Sequence, residues 1–271
     1  MAVPESTPAI EFRDVAMSFG EKQVFERVSF KLGSGETLFL LGVTGTGKSV
    51  LLKLALGLLK PDAGQILIDG QDIVPIPEEE LRPVRQRMGI VFQEGALFDS
   101  LSVYENVAYW MRETGVTDED AIERRVREVL GFVEMEAAID KMPAELSGGM
   151  RRRVSIARAI VSDPSIMLYD SPTAGLDPVT SHTINILIAK LRDVRHVTSV
   201  VVSHRIQNAF FLVNFAYSPK TKGLVPLGSN GGPARIAATR FLVLRDSGVY
   251  FEGDHDSITL SRDPYVQKFL V

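Results

Sequence analysis

Cysteine is absent from the 271 residues, which excludes disulfides and thiolate metal sites and fits a reducing compartment. Long apolar runs are absent too. Stretches such as AFFLV at 209–213 are far too short to span a bilayer. The start, MAVPESTPAI, has no basic segment leading into an apolar core and does not read as a signal peptide. There is no large charge imbalance: the net charge of −4 argues against nucleic acid as a partner. Internal repeats and low-complexity tracts are missing as well. What is abundant is apolar residues, at 45%, enough for a sizeable core. The expectation is a chain soluble by itself that works at a membrane only through a partner.

Residues 9–32 alternate apolar and polar, as in EFRDV and VFERVSFKL, and predict half-buried antiparallel strands. TLFLLGV at 37–43 is a continuous apolar run ending in glycine, which suits a buried central strand. SVLLKLALGLL is helical and closes at Lys60-Pro61. QILIDG, MGIVF, IMLYD and SVVVS are further short strands, and residues 102–139, the stretch after Gly149, and PVTSHTINILIAKLRDV are helical. Residues 214–238 are rich in Gly, Pro, Ser and Lys and read as an exposed, mobile loop. A hairpin about Ser247-Gly248 and a short amphipathic helix, DPYVQKFLV, end the chain. Strands alternating with helices from residue 37 on predict an α/β fold with a mostly parallel core.

Gly42 to Ser49 reads GVTGTGKS and fits G-x-x-x-x-G-K-[ST]. Glycines at 42, 45 and 47 let backbone amides turn inward around phosphate oxygens. The helix starting near Lys48 adds its positive end. Lys48 is placed to reach the outer phosphates and the Ser49 hydroxyl to hold Mg²⁺, with Val50 next in the same helix. A plain glycine-rich turn between strand and helix is the bland alternative, and the flanking elements are right for the functional one. In such phosphate loops a second strand ends in an aspartate that holds Mg²⁺, and Asp170 at the end of IMLYD fits. LSGGM at 146–150 offers a second anion site. Ser147 can cap the following helix, and Gly148 and Gly149 expose amides at its positive end. The run Arg151–Arg153 reads as a solvated helix face.

The ordered set GVTGTGKS, VFQEGALF, LSGGM, IMLYDSPTAGLD, VVVSH resembles the nucleotide-binding subunit of ABC transporters over about residues 9–271. The resemblance implies one nucleotide-binding domain over 1–271. It would combine a mostly parallel phosphate-loop core, an N-terminal antiparallel β subdomain and a helical signature subdomain at about 95–160, with an inserted loop at about 214–238. It also implies ATP and Mg²⁺ as cofactors. Phe19 stands where the family stacks an aromatic on adenine, and Gln93 where a glutamine senses Mg²⁺ and the permease. Ser147 and Gly149 would bind the γ-phosphate of ATP held by a second copy, and Asp177 would belong to the aspartate loop across that dimer. His204 would be the switch histidine.

FQEGALFDSLSVYENVAYWMRE, the methionine of LSGGM and the ending DPYVQKFL narrow the resemblance to the Mla-type, or toluene-tolerance, ATPases that drive phospholipid movement across the bacterial envelope. Implied partners are a second copy through ATP, integral-membrane permease subunits and an Mce-type substrate-binding protein. The implied place is the cytoplasmic face of the inner membrane. Phe98, Tyr109 and Trp110 lie where relatives receive a permease helix, though burial in the core is the bland reading for each.

One position departs from the pattern. Ser171 stands where the family has the glutamate that orients or deprotonates water, and a serine cannot accept a proton at neutral pH. Three readings stay open: a natural slow hydrolase using His204 or the second copy's Asp177, an ATP-dependent clamp that hardly hydrolyses, or a substitution that traps the dimer.

Overall fold

The alternation over residues 9–32 becomes two long antiparallel strands, β1 (Ile10–Phe19) and β2 (Lys22–Leu32). The computed structural model describes residues 7–203, 206–228 and 237–270. Along β1, Ile10, Phe12, Val15 and Met17 are buried, and Phe12 stacks on Phe30 with ring centroids 4.8 Å apart. The strand QILIDG, β4 (Ala63–Ile68), does not join the parallel core. It pairs antiparallel with β1, and a short β5 (Gln71–Asp72) extends that sheet in the order β2-β1-β4-β5. The physical reason is a tight approach. Gly64 has φ +93, and a Cβ there would stand 2.5 Å from the Asp14 carbonyl, so only a glycine lets the two backbones meet.

The second sheet has six strands in the order β12-β11-β3-β8-β7-β6. Its members are β3 (Thr37–Leu41), β6 (Met88–Val91), β7 (Ile166–Asp170), β8 (Thr198–Val202), β11 (Thr239–Arg245) and β12 (Gly248–Asp254). All neighbours are parallel except β11 and β12, which are joined by a tight turn with positive φ at Asp246 and Ser247. The central β3 is buried throughout. Leu38 and Leu40 face one core and Phe39 and Leu41 the other, as a strand covered on both faces requires. The helices α1 (Lys48–Ala55) and α2 (Arg82–Gln86) follow β3 and precede β6.

The charged stretch after residue 102 forms α3 (Val103–Glu113) and α4 (Glu119–Phe132), and both pack against α5 (Gly148–Ile160). Helix α3 starts with a capping box: Ser102 Oγ accepts from Glu105 N, and Glu105 accepts from Ser102 N. Asn106, fully buried, staples the segment before this helix. Its Oδ1 accepts from Phe98 N at 2.8 Å, and its Nδ2 donates to the carbonyls of Phe98, Leu101 and Ser102. Asn106→Leu is expected to cost at least about 2 kcal/mol, because each orphaned buried group costs about 1–3 kcal/mol. Urea unfolding of the variant measures it.

Helix α6 (Pro178–Arg195) leads to β8, and α7 (Gln207–Asn214) follows. Residues 215–226 do not form the plain loop that the composition of 214–238 predicts, and residues 229–236 lie outside the described ones. Phe215–Ser218 and Gly223–Pro226 are strands β9 and β10, an antiparallel hairpin lying on α6. The anchor is Arg192, a charged residue buried to 1% exposure. It donates to the carbonyls of Leu212 and Phe215 and pairs with Asp193, which in turn accepts from Tyr217 N at 2.7 Å. Two short helices, α8 (His255–Thr259) and α9 (Pro264–Gln267), close the chain. Among the described residues no helix is long and apolar enough to cross a membrane.

Candidate functional site

The loop between β3 and α1 turns on glycines. Gly47 has φ +94, and a Cβ there would meet the Phe25 ring and Val24 at 2.7 Å, so the backbone is pressed against β2 where only glycine fits. Lys48 follows, 6% exposed, and its Nζ donates to the carbonyls of Gly42 and Val43, both at 2.8 Å. The ammonium has three donors, so one is left for an outside acceptor. Burial pushes the Lys48 pKa down to about 8, and the nearby Asp170 carboxylate works against that shift. A cation desolvated in this way is primed for an anion.

A cleft of ≈ 330 Å³ opens over this loop. Gly45, Gly47, Lys48, Ser49 and Val50 form one wall, Gln93, Asp170 and Ser171 another, and Phe19 stands at its edge, 47% exposed. The sheet order explains the convergence. Asp170 pairs in register with Val202 and Val202 with Leu40, so the strand ends carrying Asp170 and the phosphate loop flank β8. Ser171 is buried with φ +49, at the sharp turn where the strand ends. Oxygen donors converge here from the Asp170 carboxylate, the Gln93 amide and the hydroxyls of Thr44, Ser49 and Ser171. That hard-oxygen set fits Mg²⁺, which completes its shell with phosphate and water. No cluster of three or more acidic or histidine side chains able to hold a metal by itself occurs among the described residues.

Ser147 caps α5, accepting from Met150 N at 3.3 Å. It does not line the cleft of its own chain, and neither does Gly149. A Cβ on Gly149 would stand 2.3 Å from Thr180 Cγ2, so the signature turn is wedged against the start of α6. Asp177 caps that helix. Its carboxylate accepts from Val179 N and Thr180 N, both at 3.0 Å, and from Thr180 Oγ1 at 2.5 Å. Those donors hold its pKa below the usual carboxylate range, the Thr180 hydroxyl most of all. A carboxylate so engaged is a poor proton acceptor. His204 lies outside the described residues.

The reading of Arg151–Arg153 as a solvated face is corrected at Arg152, which is 5% exposed. Its Nη1 donates to Phe92 O at 2.5 Å, while its Nε meets no acceptor among the described residues. Burial pushes its pKa down, and the carboxylates of Glu94 and Asp170 oppose that. Helical period was the missed signal: Arg152 shares a face with the buried Ser155 and Ile156, three and four residues on. Arg158, also read as ordinary helix, donates to Gly95 O at 3.0 Å.

A second hollow, ≈ 640 Å³, lies beside the cleft. Leu56, Met88, Ile90 and Phe92 line its base, Phe98, Tyr109 and Trp110 its flank, and Arg82, Arg85 and Arg158 its rim. Phe98 and Tyr109 are each 42% exposed with ring centroids 4.8 Å apart, so they are surface groups and not core.

A phosphate loop, an aspartate-ended strand and a capped glycine turn on one α/β scaffold define a nucleotide-binding cassette. The family model for ABC transporters matches residues 25–174, and the chain belongs to that family. It is 34% identical, over 96% of its length and 89% of the relative's, to the intermembrane phospholipid transport system ATP-binding protein MlaF of Haemophilus influenzae. It is 37% identical to the chloroplastic protein trigalactosyldiacylglycerol 3 of Arabidopsis thaliana, over 98% of this chain and 74% of that one. Among solved structures it is similar to an ATP-binding cassette dimer in a post-hydrolysis state with ADP and phosphate. The TM-score is 0.74 at 28% identity, covering 90% of this chain and 98% of that one.

Proposed function

We propose that this chain is the ATP-driven motor subunit of a transporter that moves phospholipid or another hydrophobic substrate across a bacterial envelope. The observation that carries the reading is the segment 92–98. Gln93 lines the nucleotide cleft, while Phe92, Ala96 and Phe98 line the neighbouring apolar hollow. One short stretch of chain therefore faces both the nucleotide and a surface fit to receive an apolar helix with acidic groups at its ends. Lys48 holds the outer phosphates, Ser49, Gln93 and Asp170 hold Mg²⁺, which balances phosphate charge when bound, and Phe19 stacks on adenine. Ser147, Gly149 and Asp177 act across a dimer of the chain. The helical portion at about 95–160 then belongs to one nucleotide-binding domain, with the 214–238 hairpin region as an insertion. The membrane subunits hold the chain at the cytoplasmic face of the inner membrane and deliver substrate from an Mce-type binding protein. The resemblance to the intermembrane phospholipid transport system ATP-binding protein supports the cargo.

Phe98→Asp is expected to weaken association with the membrane subunits by roughly 30-fold or more, the range of an aromatic hot spot, with ATP affinity unchanged. Co-purification in detergent and nucleotide titration measure the two separately. Equal recovery of the complex would remove the hollow from the docking role. Ser171 favours a second reading, an ATP-closed clamp with little hydrolysis and no transport. Phosphate release by the purified transporter discriminates the two.

A further inference from the structure

We propose that Arg152 is a positioning residue of the nucleotide site: from helix α5 it fixes the turn that presents Gln93 to Mg²⁺. The inference rests on the reading of Gln93 as a metal ligand. It adds to the site a residue that touches neither nucleotide nor metal.

The turn comes first. Gly95 N donates to Phe92 O at 2.9 Å, which closes a β-turn with Gln93 and Glu94 at its tip. Gln93 lines the nucleotide cleft together with Asp170 and Ser171. The backbone bond shapes the turn, and its depth in the cleft is set by what lies beneath it. Helix α5 lies beneath it. Gly95 has φ +84, and a Cβ there would stand 3.5 Å from Arg151 O and 3.6 Å from Ser155 Cβ, so the turn rests directly on the helix. Arg152 Nη1 donates to Phe92 O at 2.5 Å, and Arg158 Nη2 donates to Gly95 O at 3.0 Å. Phe92 O therefore accepts twice, which fills both of its lone pairs.

Arg152 has no other visible use. Arg158 also lines the apolar hollow, whereas Arg152 lines neither the hollow nor the cleft. Its neighbours spend their guanidinium groups elsewhere, Arg151 on Leu146 O at 2.7 Å and Arg153 on Glu134 O at 3.1 Å. Burying a guanidinium is costly, and an apolar side chain of similar bulk would fill the same space without that cost. The cost is not offset by a full set of bonds, because the buried Nε finds no acceptor among the described residues. What the charge does accomplish is the hold on Phe92 O, the residue before Gln93. A partner that orients a metal ligand from outside the coordination shell is worth about as much as many ligands are.

The test is ATP affinity of the full chain purified with its membrane subunits, measured with Mg²⁺ and again with EDTA. The ratio of the two is the gain that the metal brings. Arg152→Met keeps the bulk and removes the hold on Phe92 O. It is expected to reduce the gain by roughly 10-fold or more, the usual cost of losing an outer partner of a metal ligand, with affinity in EDTA close to wild type. Arg152→Lys keeps the charge on a shorter reach and is expected to show the same pattern in smaller measure. It serves as the test if methionine at this buried position unfolds the chain. Gln93→Ala is expected to lose the gain as well, and Arg152→Met added to Gln93→Ala to lose nothing further, because the two act through one contact. An unchanged gain in both Arg152 variants overturns the proposal. So does an equal loss of affinity with and without Mg²⁺, which would make Arg152 a general support of the fold, or a further loss in the double variant. If Gln93→Ala itself keeps the wild-type gain, the reading of Gln93 as a metal ligand fails, and the proposal with it.

Discussion

Lys48→Ala is expected to lower ATP turnover by roughly 10²–10³-fold, the range for loss of one preorganised donor from a transferring phosphoryl group. Nucleotide binding should weaken as well, by about 1.5–3 kcal/mol, the worth of a charge-assisted bond. The argument starts from the free protein. Lys48 is buried and its ammonium is disfavoured there, with a pKa pushed down to about 8. A residue kept in that position at a cost to the charged form has a use for the charge that the free protein does not show. Its bonds to Gly42 and Val43 hold the head at the loop. Folding should survive the substitution, because the variant loses a desolvated cation along with two hydrogen bonds. Thermal melting without ATP checks this, and melting with Mg-ATP reports the lost binding. Lys48→Arg is not expected to rescue, because a planar fork cannot replace a compact point charge in a loop this tight. Wild-type affinity and turnover in Lys48→Ala would remove the loop from the nucleotide site.

Gly149→Ala is expected to weaken the ATP-driven dimer by about 1–3 kcal/mol, roughly 5- to 150-fold in dissociation constant. The new methyl would fall 2.3 Å from Thr180 Cγ2. Thr180 cannot simply rotate away. It is β-branched, and its hydroxyl is spent on the Asp177 carboxylate. Either the signature turn moves or the cap of α6 breaks, and both belong to the surface proposed to meet the second copy. Thr180→Ser in the same chain removes the methyl and keeps the hydroxyl, so it should restore dimerisation. Sedimentation with Mg-ATP measures all three proteins. Wild-type behaviour of Gly149→Ala would separate the packing of the turn from dimer formation.

The parallel core was legible because its strands are continuous apolar runs, and the loop after TLFLL because glycine spacing is itself the physics. Strand β4 was seen as a strand but not as a member of the antiparallel sheet. Its placement depends on the close approach at Gly64, a tertiary fact. The hairpin at 215–226 was hidden by Gly, Pro, Ser and Lys, and the buried Arg192 that anchors it sits on another element. Arg152 was misread because three arginines in a row suggest solvent, although the helical period assigns them to different faces. Phe98 and Tyr109 were weighed as core and turned out to be surface, since composition does not say which part of a loop or side of a helix lacks a neighbour.

The segment 92–98 has a consequence for redesign. It walls both hollows and is pinned by Arg152, Arg158 and Asn106, so a change made there to fit a new membrane subunit also resets the chemistry. Leu56, Leu58 and Arg82 line the larger hollow without lining the nucleotide cleft and carry no such double duty. If the hollow receives the membrane subunit as proposed, substitutions at those residues are expected to change partner choice and leave the rate of the motor as it is.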